Sequence, residues 1–218
     1  MDQSAAPRTL GAVIYPNFEP LDLYGPLEMF GMVEPRLRLV MVAAAPGPVA
    51  STPGPQTVAE FGFADCPPLD LLLVPGGIGT RSEVANQTLL SFLAARVPAT
   101  RLTLSVCTGS WLLARAGCLD GRRATSNKAV FRLAEVQSAA VTWVPQARWV
   151  QDGPFYTASG VSAGLDMSLA VIAALYGEAE AARIAQRTEY VWQRDPDQDP
   201  FYPYLNSLVP PDPAGVAR

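Results

Sequence analysis

Four short runs that are apolar on both faces constrain the fold of this chain more than any other feature. They are Leu10–Tyr15, Leu37–Ala43, Leu69–Val74 and Leu102–Val106. A strand with two apolar faces is buried between two layers, as in a parallel sheet that helices cover on both sides. Amphipathic segments separate the runs. This alternation predicts an α/β domain with a mainly parallel sheet.

The segments between and after these strands predict helices and one antiparallel element. We predict helices over Asp22–Met32, Glu83–Arg96, Thr108–Ala116, Asn127–Leu133, Ser162–Tyr176 and Ala179–Tyr190. Ser162 is a candidate N-cap, and Gly177 is a candidate helix stop. We predict a meander or hairpin from Val141–Val144, Ala147–Gln151 and Phe155–Ala158, with a turn at Asp152-Gly153.

The composition predicts one folded domain with a less regular tail. The chain has 218 residues, of which 49% are hydrophobic and 17% charged, with a mean hydropathy of +0.15, so it can bury a sizeable core. We predict an N-terminal extension over 1–9, a single domain over 10–192 and a Pro/Asp-rich C-terminal tail over 193–218. The tail is expected to be irregular, docked around Phe201–Tyr204 and frayed beyond.

Several function classes are excluded or disfavoured. The chain has no histidine, which excludes Cys-His pairs, Ser-His-Asp triads and histidine-ligated metal sites within it. A net charge of −4 without a basic cluster argues against nucleic acid as a partner. Apolar runs shorter than roughly 20 residues argue against a membrane span.

The chain start and the cysteine count predict a cytoplasmic protein. Residues 1–8 lack the basic and apolar pattern of a signal peptide. Three cysteines form an odd set without metal-ligand spacing, which predicts reduced thiols. Cys66 and Cys118 lack a catalytic setting, and we expect them to be inert.

Cys107 stands where a nucleophile is usually displayed. It follows the apolar run Leu102–Val106 and precedes Thr108-Gly109-Ser110 and a helical segment, a pattern that resembles a nucleophile elbow. Such a turn places the sulfur at the carboxyl edge of the sheet and at a helix N-terminus, where a thiolate is favoured. A buried structural cysteine is the alternative interpretation.

Three further polar or glycine-rich positions are expected near the same edge. Gly76 and Gly77 follow a strand, so their N–H groups are candidates for an oxyanion site, or they only form a tight turn. Asp22 lies between leucines, which favours a buried carboxyl with a raised pKa, although its spacing alone favours a helix N-cap. Asn127 is a candidate substrate contact, but a helix cap is the preferred interpretation.

In combination, these motifs resemble the DJ-1/PfpI superfamily, and most closely its isonitrile (isocyanide) hydratase branch. The motifs are Pro20-Leu-Asp-Leu-Tyr-Gly-Pro26, Phe63–Asp70, Val74–Gly77, Ser105-Val-Cys-Thr-Gly-Ser110 and Ser159–Asp166. The resemblance runs from about Leu10 to Tyr190. It implies a flavodoxin-like (class I glutamine amidotransferase-like) three-layer α/β sandwich with a nucleophile elbow, usually in a homodimer.

The resemblance also implies a reaction. Cys107 attacks the terminal carbon of an isocyanide, Asp22 and Thr108 assist, and water releases an N-formyl amine, with no cofactor or metal. Gly160 joins Gly76, Gly77 and Asn127 as a substrate-binding position. Thr108 stands where peptidase-like relatives carry histidine.

Two alternatives to the hydratase stay open at this point. One is a redox-responsive or protein-protective protein of the glyoxalase or chaperone type, with Cys107 as an oxidisable thiol. The other is the ligand-binding domain of a transcription regulator, which the lack of a basic or helix-turn-helix segment after Tyr190 disfavours.

Overall fold

The computed structural model describes residues 8–33 and 37–209. The strands are β1 (Arg8–Val13), β2 (Leu37–Ala43), β3 (Gly47–Ala50), β4 (Gln56–Ala59), β5 (Phe61–Gly62), β6 (Leu71–Val74), β7 (Leu102–Val106), β8 (Arg123–Ala124), β9 (Thr142–Trp143), β10 (Trp149–Asp152) and β11 (Phe155–Ala158). The α-helices are α1 (Pro20–Gly31), α2 (Thr80–Glu83), α3 (Gln87–Arg96), α4 (Gly109–Arg115), α5 (Phe131–Glu135), α6 (Ala163–Tyr176) and α7 (Glu178–Arg187). Short 3₁₀ helices cover Val97–Ala99, Lys128–Val130 and Tyr202–Tyr204.

A mainly parallel seven-stranded sheet forms the centre of the fold, as the apolar runs predict. Its strand order is β10-β11-β7-β6-β1-β2-β5, and β10 and β11 are the antiparallel pair. All four residues of β6 are fully buried, because strands lie on both sides of it and helices cover its faces. The flavodoxin-like α/β fold is therefore confirmed.

The helices pack in two groups around this sheet. α1 contacts α6, and α6 contacts α7, whereas α3 and α2 contact α4. Gly164 in α6 permits a close approach to β7, since a Cβ there would lie 2.9 Å from Val106 Cγ2. Because the central strands run parallel, their carboxyl ends lie at one edge of the sheet, where open sheets of this kind place their functional sites.

Several predicted elements are wrong in detail. The helix predicted over Glu83–Arg96 begins only at Gln87, because Asn86 caps it by accepting the N–H groups of Thr88 and Leu89, and Glu83 is the last residue of the separate helix α2. The helix predicted over Asn127–Leu133 is a 3₁₀ turn followed by α5.

The sequence predicts a meander or a hairpin in the region after Val141, and the structure contains the hairpin. β10 and β11 pair antiparallel, with Gly153 at a φ of +57° in the turn, whereas β9 pairs with β8 in a separate sheet. The β3–β4 hairpin was missed, because its proline and glycine residues resemble a loop in sequence.

The two predicted terminal segments differ from expectation. β1 already begins at Arg8, within the predicted extension over 1–9, and residues 1–7 lie outside the described residues. The tail docks as predicted, but not through its aromatic residues: Phe201 and Tyr204 are 52% and 63% exposed, whereas Asp199 is 5% exposed. The fraying predicted beyond Tyr204 is wrong for residues 205–209, because the N–H groups of Asn206 and Leu208 donate to the Lys128 and Ala129 carbonyls. Residues 210–218 lie outside the described residues. Within the described ranges, no helix is long and apolar enough to cross a membrane.

Candidate active site

Cys107 occupies a strained turn between β7 and α4. Its φ is +58°, a left-handed conformation that is uncommon for a residue with a side chain. Its N–H donates to the Ala158 carbonyl at 3.1 Å, and the hydroxyls of Ser110 and Ser126 both donate to its carbonyl at 3.1 Å. These bonds hold the nucleophile elbow that the sequence predicts.

The loop after β6 brings Asp22 and Thr108 to the same place. The Gly76 N–H donates to Asp22 Oδ2 at 2.9 Å, and the Gly77 N–H donates to Thr108 Oγ1 at 3.0 Å. Both N–H groups are therefore engaged with side chains. In this arrangement they orient Asp22 and Thr108, and the oxyanion role expected for Gly76 and Gly77 stays a prediction.

Asp22 is fully buried in the first turn of α1. The N-cap interpretation is wrong, because the helix begins at Pro20 and Glu19 holds the cap position. Burial raises the pKa of Asp22 well above its usual range, against the Gly76 hydrogen bond that lowers it, and nearby Glu19 raises it further. The raised pKa expected from the sequence is confirmed.

The Cys107 thiol does not have the lowered pKa that its helix start predicts. Burial is the main cause that raises its pKa well above the usual value, and the Asp22 charge raises it further. Hydrogen bonds from Asn127 and Thr108 oppose this shift without overcoming it. A helix of seven residues provides too little to offset the loss of solvent around a buried sulfur.

Asp22 and Cys107 form one coupled acid–base pair. A hydrogen-bond interaction with the thiol lowers the pKa of Asp22, while Asp22 raises that of the thiol. Asp22 Oδ1 has no partner of full hydrogen-bond geometry among the described residues. The contact with the thiol therefore falls short of a complete hydrogen bond, and Oδ1 is available to a reacting group. Burial favours the protonated form of each member.

Asn127 performs two tasks at once. Its Oδ1 accepts the Ala129 N–H at 2.9 Å, which is the predicted cap, and this bond orients its amide so that Nδ2 donates to Cys107 Sγ at 3.1 Å. A donor at this distance favours the thiolate over the thiol. Gly160 lies beside it, since a Cβ there would be 3.5 Å from Asn127 Nδ2.

Sequence reasoning missed two buried hydroxyl groups in this site. The Tyr15 hydroxyl donates to the Pro75 carbonyl at 2.5 Å, which fixes the loop that carries Gly76. Burial raises the pKa of Tyr15, and the charges of Asp22 and Cys107 add to that shift. Thr80 is fully buried at the start of α2. The position of Tyr15 two residues after the end of β1 was an available signal, whereas nothing in the sequence distinguished Thr80.

Thr80 controls where the Thr108 hydroxyl can point. Thr80 Oγ1 lies 2.7 Å from the Gly77 carbonyl and 3.0 Å from Thr108 Oγ1. Thr108 Oγ1 is a longer 3.2 Å from that same carbonyl. The Gly77 carbonyl can accept both hydroxyl groups, so the single hydroxyl proton of Thr108 is divided between this carbonyl and the Cys107 sulfur, whose pKa the Thr108 hydroxyl lowers.

We expect Thr80→Val to slow alkylation of Cys107 by up to about tenfold, because Thr108 then loses the competing donor at the Gly77 carbonyl and gives its proton more fully to that carbonyl than to the sulfur. Iodoacetamide labelling across a pH series, followed by peptide mass spectrometry, measures this rate. Thr80→Ser keeps the hydroxyl and should restore the wild-type rate. Equal rates in Thr80→Val and wild type would contradict the assignment.

Gly76→Ala should destabilise the protein by about 1–3 kcal/mol and distort the site. A Cβ there would lie 2.6 Å from Thr108 N and 2.8 Å from Asp22 Oδ2. Denaturant unfolding gives the change in free energy. The matched control is Gly31→Ala, where the nearest atom would be 3.7 Å away. Equal losses in the free energy of unfolding for the two substitutions would contradict the close packing around Gly76.

Cys66 and Cys118 do not join this site. Burial raises the pKa of Cys66, and burial together with Asp120 raises the pKa of Cys118 to about 11. Among the residues that the structure describes, no group of three acidic or thiol side chains is placed to hold a metal ion.

Proteins of known function are similar in sequence to this chain. Residues 11–174 match the sequence pattern of the DJ-1/PfpI family. The isonitrile hydratase of Pseudomonas putida is 33% identical over 181 residues, which are 83% of this chain and 78% of that protein. The HTH-type transcriptional regulator GbdR of Pseudomonas aeruginosa (strain UCBPP-PA14) is 30% identical over 194 residues, which are 86% of this chain but 52% of the regulator.

A solved structure shows the same architecture. The crystal structure of a THiJ/PfpI family protein from Pseudomonas syringae superposes with a TM-score of 0.79 and 31% identity, covering 97% of this chain and 80% of that one. The family match spans most of the folded domain, and the elbow at Cys107 and the buried Asp22 lie within it. This chain belongs to the DJ-1/PfpI family.

Proposed function

We propose that this protein is a cysteine-dependent hydratase that adds water to an isocyanide and releases an N-formyl amine. The observation that carries the proposal is the coupled pair of Asp22 and Cys107, both buried and both with raised pKa values. The similarity to an isonitrile hydratase supports the same reaction. As a hydro-lyase it would need only groups of this chain, without a cofactor or metal.

In the first half of the reaction, Asp22 moves the thiol proton to the substrate. The protonated Asp22 carboxyl donates its proton to the isocyanide carbon, and its other oxygen accepts the proton of Cys107 as the sulfur forms a bond to that same carbon. The product R–N=CH–S–Cys107 contains all atoms of the isocyanide and the thiol. Asn127 and Thr108 stabilise the transient thiolate by donating to sulfur.

In the second half, Asp22 acts as both general base and general acid. It accepts one proton from water as the oxygen bonds to the imidate carbon, and it gives a proton to the nitrogen. As the carbon–sulfur bond breaks, it accepts the proton of the new hydroxyl group and gives a proton to the Cys107 sulfur, and R–NH–CHO leaves. The unpartnered Oδ1 of Asp22 is the atom free to exchange these protons.

The lack of histidine fits this scheme. An isocyanide needs one proton at carbon and one water, so a single carboxyl with a raised pKa can serve both halves. Because Asp22 and Cys107 are buried, bulk water is kept from the reacting carbon until the carbon–sulfur bond has formed. As parts of the same proposal, we assign a small-molecule substrate, a homodimer and a cytoplasmic location.

The similarity to transcription regulators supports a second candidate, a domain that binds a small molecule without converting it. The redox-responsive alternative is less favoured, because a thiol with a raised pKa that is 6% exposed reacts slowly with peroxide.

Infrared spectroscopy separates these candidates. A hydratase removes the isocyanide band of an alkyl isocyanide, and NMR detects an equal amount of N-formyl amine. A binding domain leaves the band intensity unchanged at catalytic protein concentration while it still shows saturable binding. Stable oxidation of Cys107 under mild peroxide, without turnover, would favour the redox protein.

A further inference from the structure

Asp199 brings a buried carboxylate from the C-terminal segment to the back of the site. It is 5% exposed. Its Oδ2 lies 3.7 Å from Lys128 Nζ and accepts a hydrogen bond from the Ser159 hydroxyl. Its Oδ1 lies 3.5 Å from Arg148 Nη1 and accepts the Phe201 N–H at 3.0 Å. The segment that carries it lies beyond residues 11–174, which the family pattern covers.

Lys128 and Ser159 depend on the Asp199 carboxylate more than Arg148 does. Arg148 already has a partner of better geometry, since its Nε and Nη2 donate to Asp166 Oδ2 at 3.0 and 2.8 Å. Lys128 Nζ donates to the Ala147 carbonyl at 2.6 Å and to Thr125 Oγ1 at 2.9 Å, but Asp199 is the one carboxylate that forms an ion pair with it within the described residues. Burial lowers the pKa of Lys128 to about 8, and Asp199 acts against this shift.

Each of these two partners is the chain neighbour of a residue at the sulfur. Lys128 follows Asn127, which donates to Cys107 Sγ at 3.1 Å. Ser159 precedes Gly160, which lies against the Asn127 amide. Asp199 therefore connects the two backbone segments that meet at this donor.

The same C-terminal segment holds the Asn127 region a second time. The Asn206 N–H donates to the Lys128 carbonyl at 2.7 Å, and the Leu208 N–H donates to the Ala129 carbonyl at 2.9 Å. Asn206 Oδ1 accepts the Arg132 N–H at 2.7 Å. These three hydrogen bonds connect Lys128, Ala129 and Arg132, which follow Asn127, to the C-terminal segment.

We propose that Asp199 is a positioning residue for the Cys107 site, which acts by holding the Asn127 amide against the sulfur through Lys128 and Ser159. The inference rests on the proposed role of Cys107 as the nucleophile. Its test uses thiol reactivity and not isocyanide turnover, so the two proposals can fail separately.

The sign of the effect distinguishes positioning from simple electrostatics. Removal of a nearby carboxylate would by itself lower the pKa of a thiol and speed its alkylation. Loss of the Asn127 hydrogen bond has the opposite effect. We expect Asp199→Asn to slow alkylation of Cys107 by iodoacetamide about three- to tenfold, as for one hydrogen bond to sulfur. Asp197→Asn, an exposed carboxyl two residues away, should leave the rate unchanged.

A double-substitution experiment tests whether Asp199 acts through Asn127. In an Asn127→Ala background, Asp199→Asn should produce no further slowing, because the donor is already absent. An equal slowing in both backgrounds, an unchanged rate, or a faster rate in the folded single variant would each overturn the proposal.

A milder variant covers the case in which Asp199→Asn does not fold. Ser159→Ala removes one donor from Asp199 and leaves the ion pairs in place. It should slow Cys107 alkylation in the same direction and also lose its effect in the Asn127→Ala background. A folded Ser159→Ala protein with wild-type alkylation would overturn the proposal.

Discussion

Replacing Asp22 with asparagine is expected to reduce isocyanide turnover by about 10²–10⁴-fold while making Cys107 react faster with alkylating reagents. The two effects have opposite directions because Asp22 has two roles. In the proposed mechanism its carboxyl moves protons in both halves of the reaction, and its charge raises the pKa of the thiol. An asparagine oxygen can still accept the Gly76 N–H, so the loop is expected to keep its place.

Parallel infrared and alkylation assays on Asp22→Asn measure this split. Glu28→Gln is the matched control, since Glu28 lies on the same helix and is exposed. A variant that loses both turnover and alkylation would indicate a collapsed site. A variant with wild-type turnover would remove Asp22 from the mechanism.

Replacing Cys107 with alanine is expected to reduce turnover to the uncatalysed background, because the covalent route requires the sulfur. Cys107→Ser should be almost as inactive, since a hydroxyl ionises far less readily than a thiol.

Thermal unfolding of both Cys107 variants shows whether the fold persists. Cys118→Ala serves as the control, because Cys118 lies outside the site and its thiol has a pKa of about 11. That variant should retain wild-type turnover. Substantial activity in a folded Cys107→Ala protein would contradict covalent catalysis.

The central sheet and the elbow could be predicted because their signals are local. The strands β1, β2, β6 and β7 each fall on one of the four mainly apolar runs, and a small-residue turn directly follows Val106. The edge strand β5 has only two residues and no such run. Parallel strands place their carboxyl ends at one edge, so Cys107 and Gly76 were expected there together. The β3–β4 hairpin lacked such a signal, and its prolines concealed it.

The contacts that set the chemistry could not be predicted, because they join residues far apart in sequence. Asp22 and Gly76 are 54 residues apart, and Thr80 and Thr108 are 28 apart. The thiol pKa was predicted in the wrong direction, since burial of the sulfur depends on the packing of the whole domain. The role of Asp199 could not be predicted for the same reason, because the Pro/Asp-rich composition of the C-terminal tail resembles a loop that faces solvent.

The most direct test of the account is rapid acid quenching of the wild-type protein during isocyanide turnover, followed by mass spectrometry of the peptide that contains Cys107. The account predicts a mass increase equal to that of the whole isocyanide on Cys107, which decays as the N-formyl amine forms. Turnover at the full rate without any modified Cys107 peptide at any quench time would contradict it.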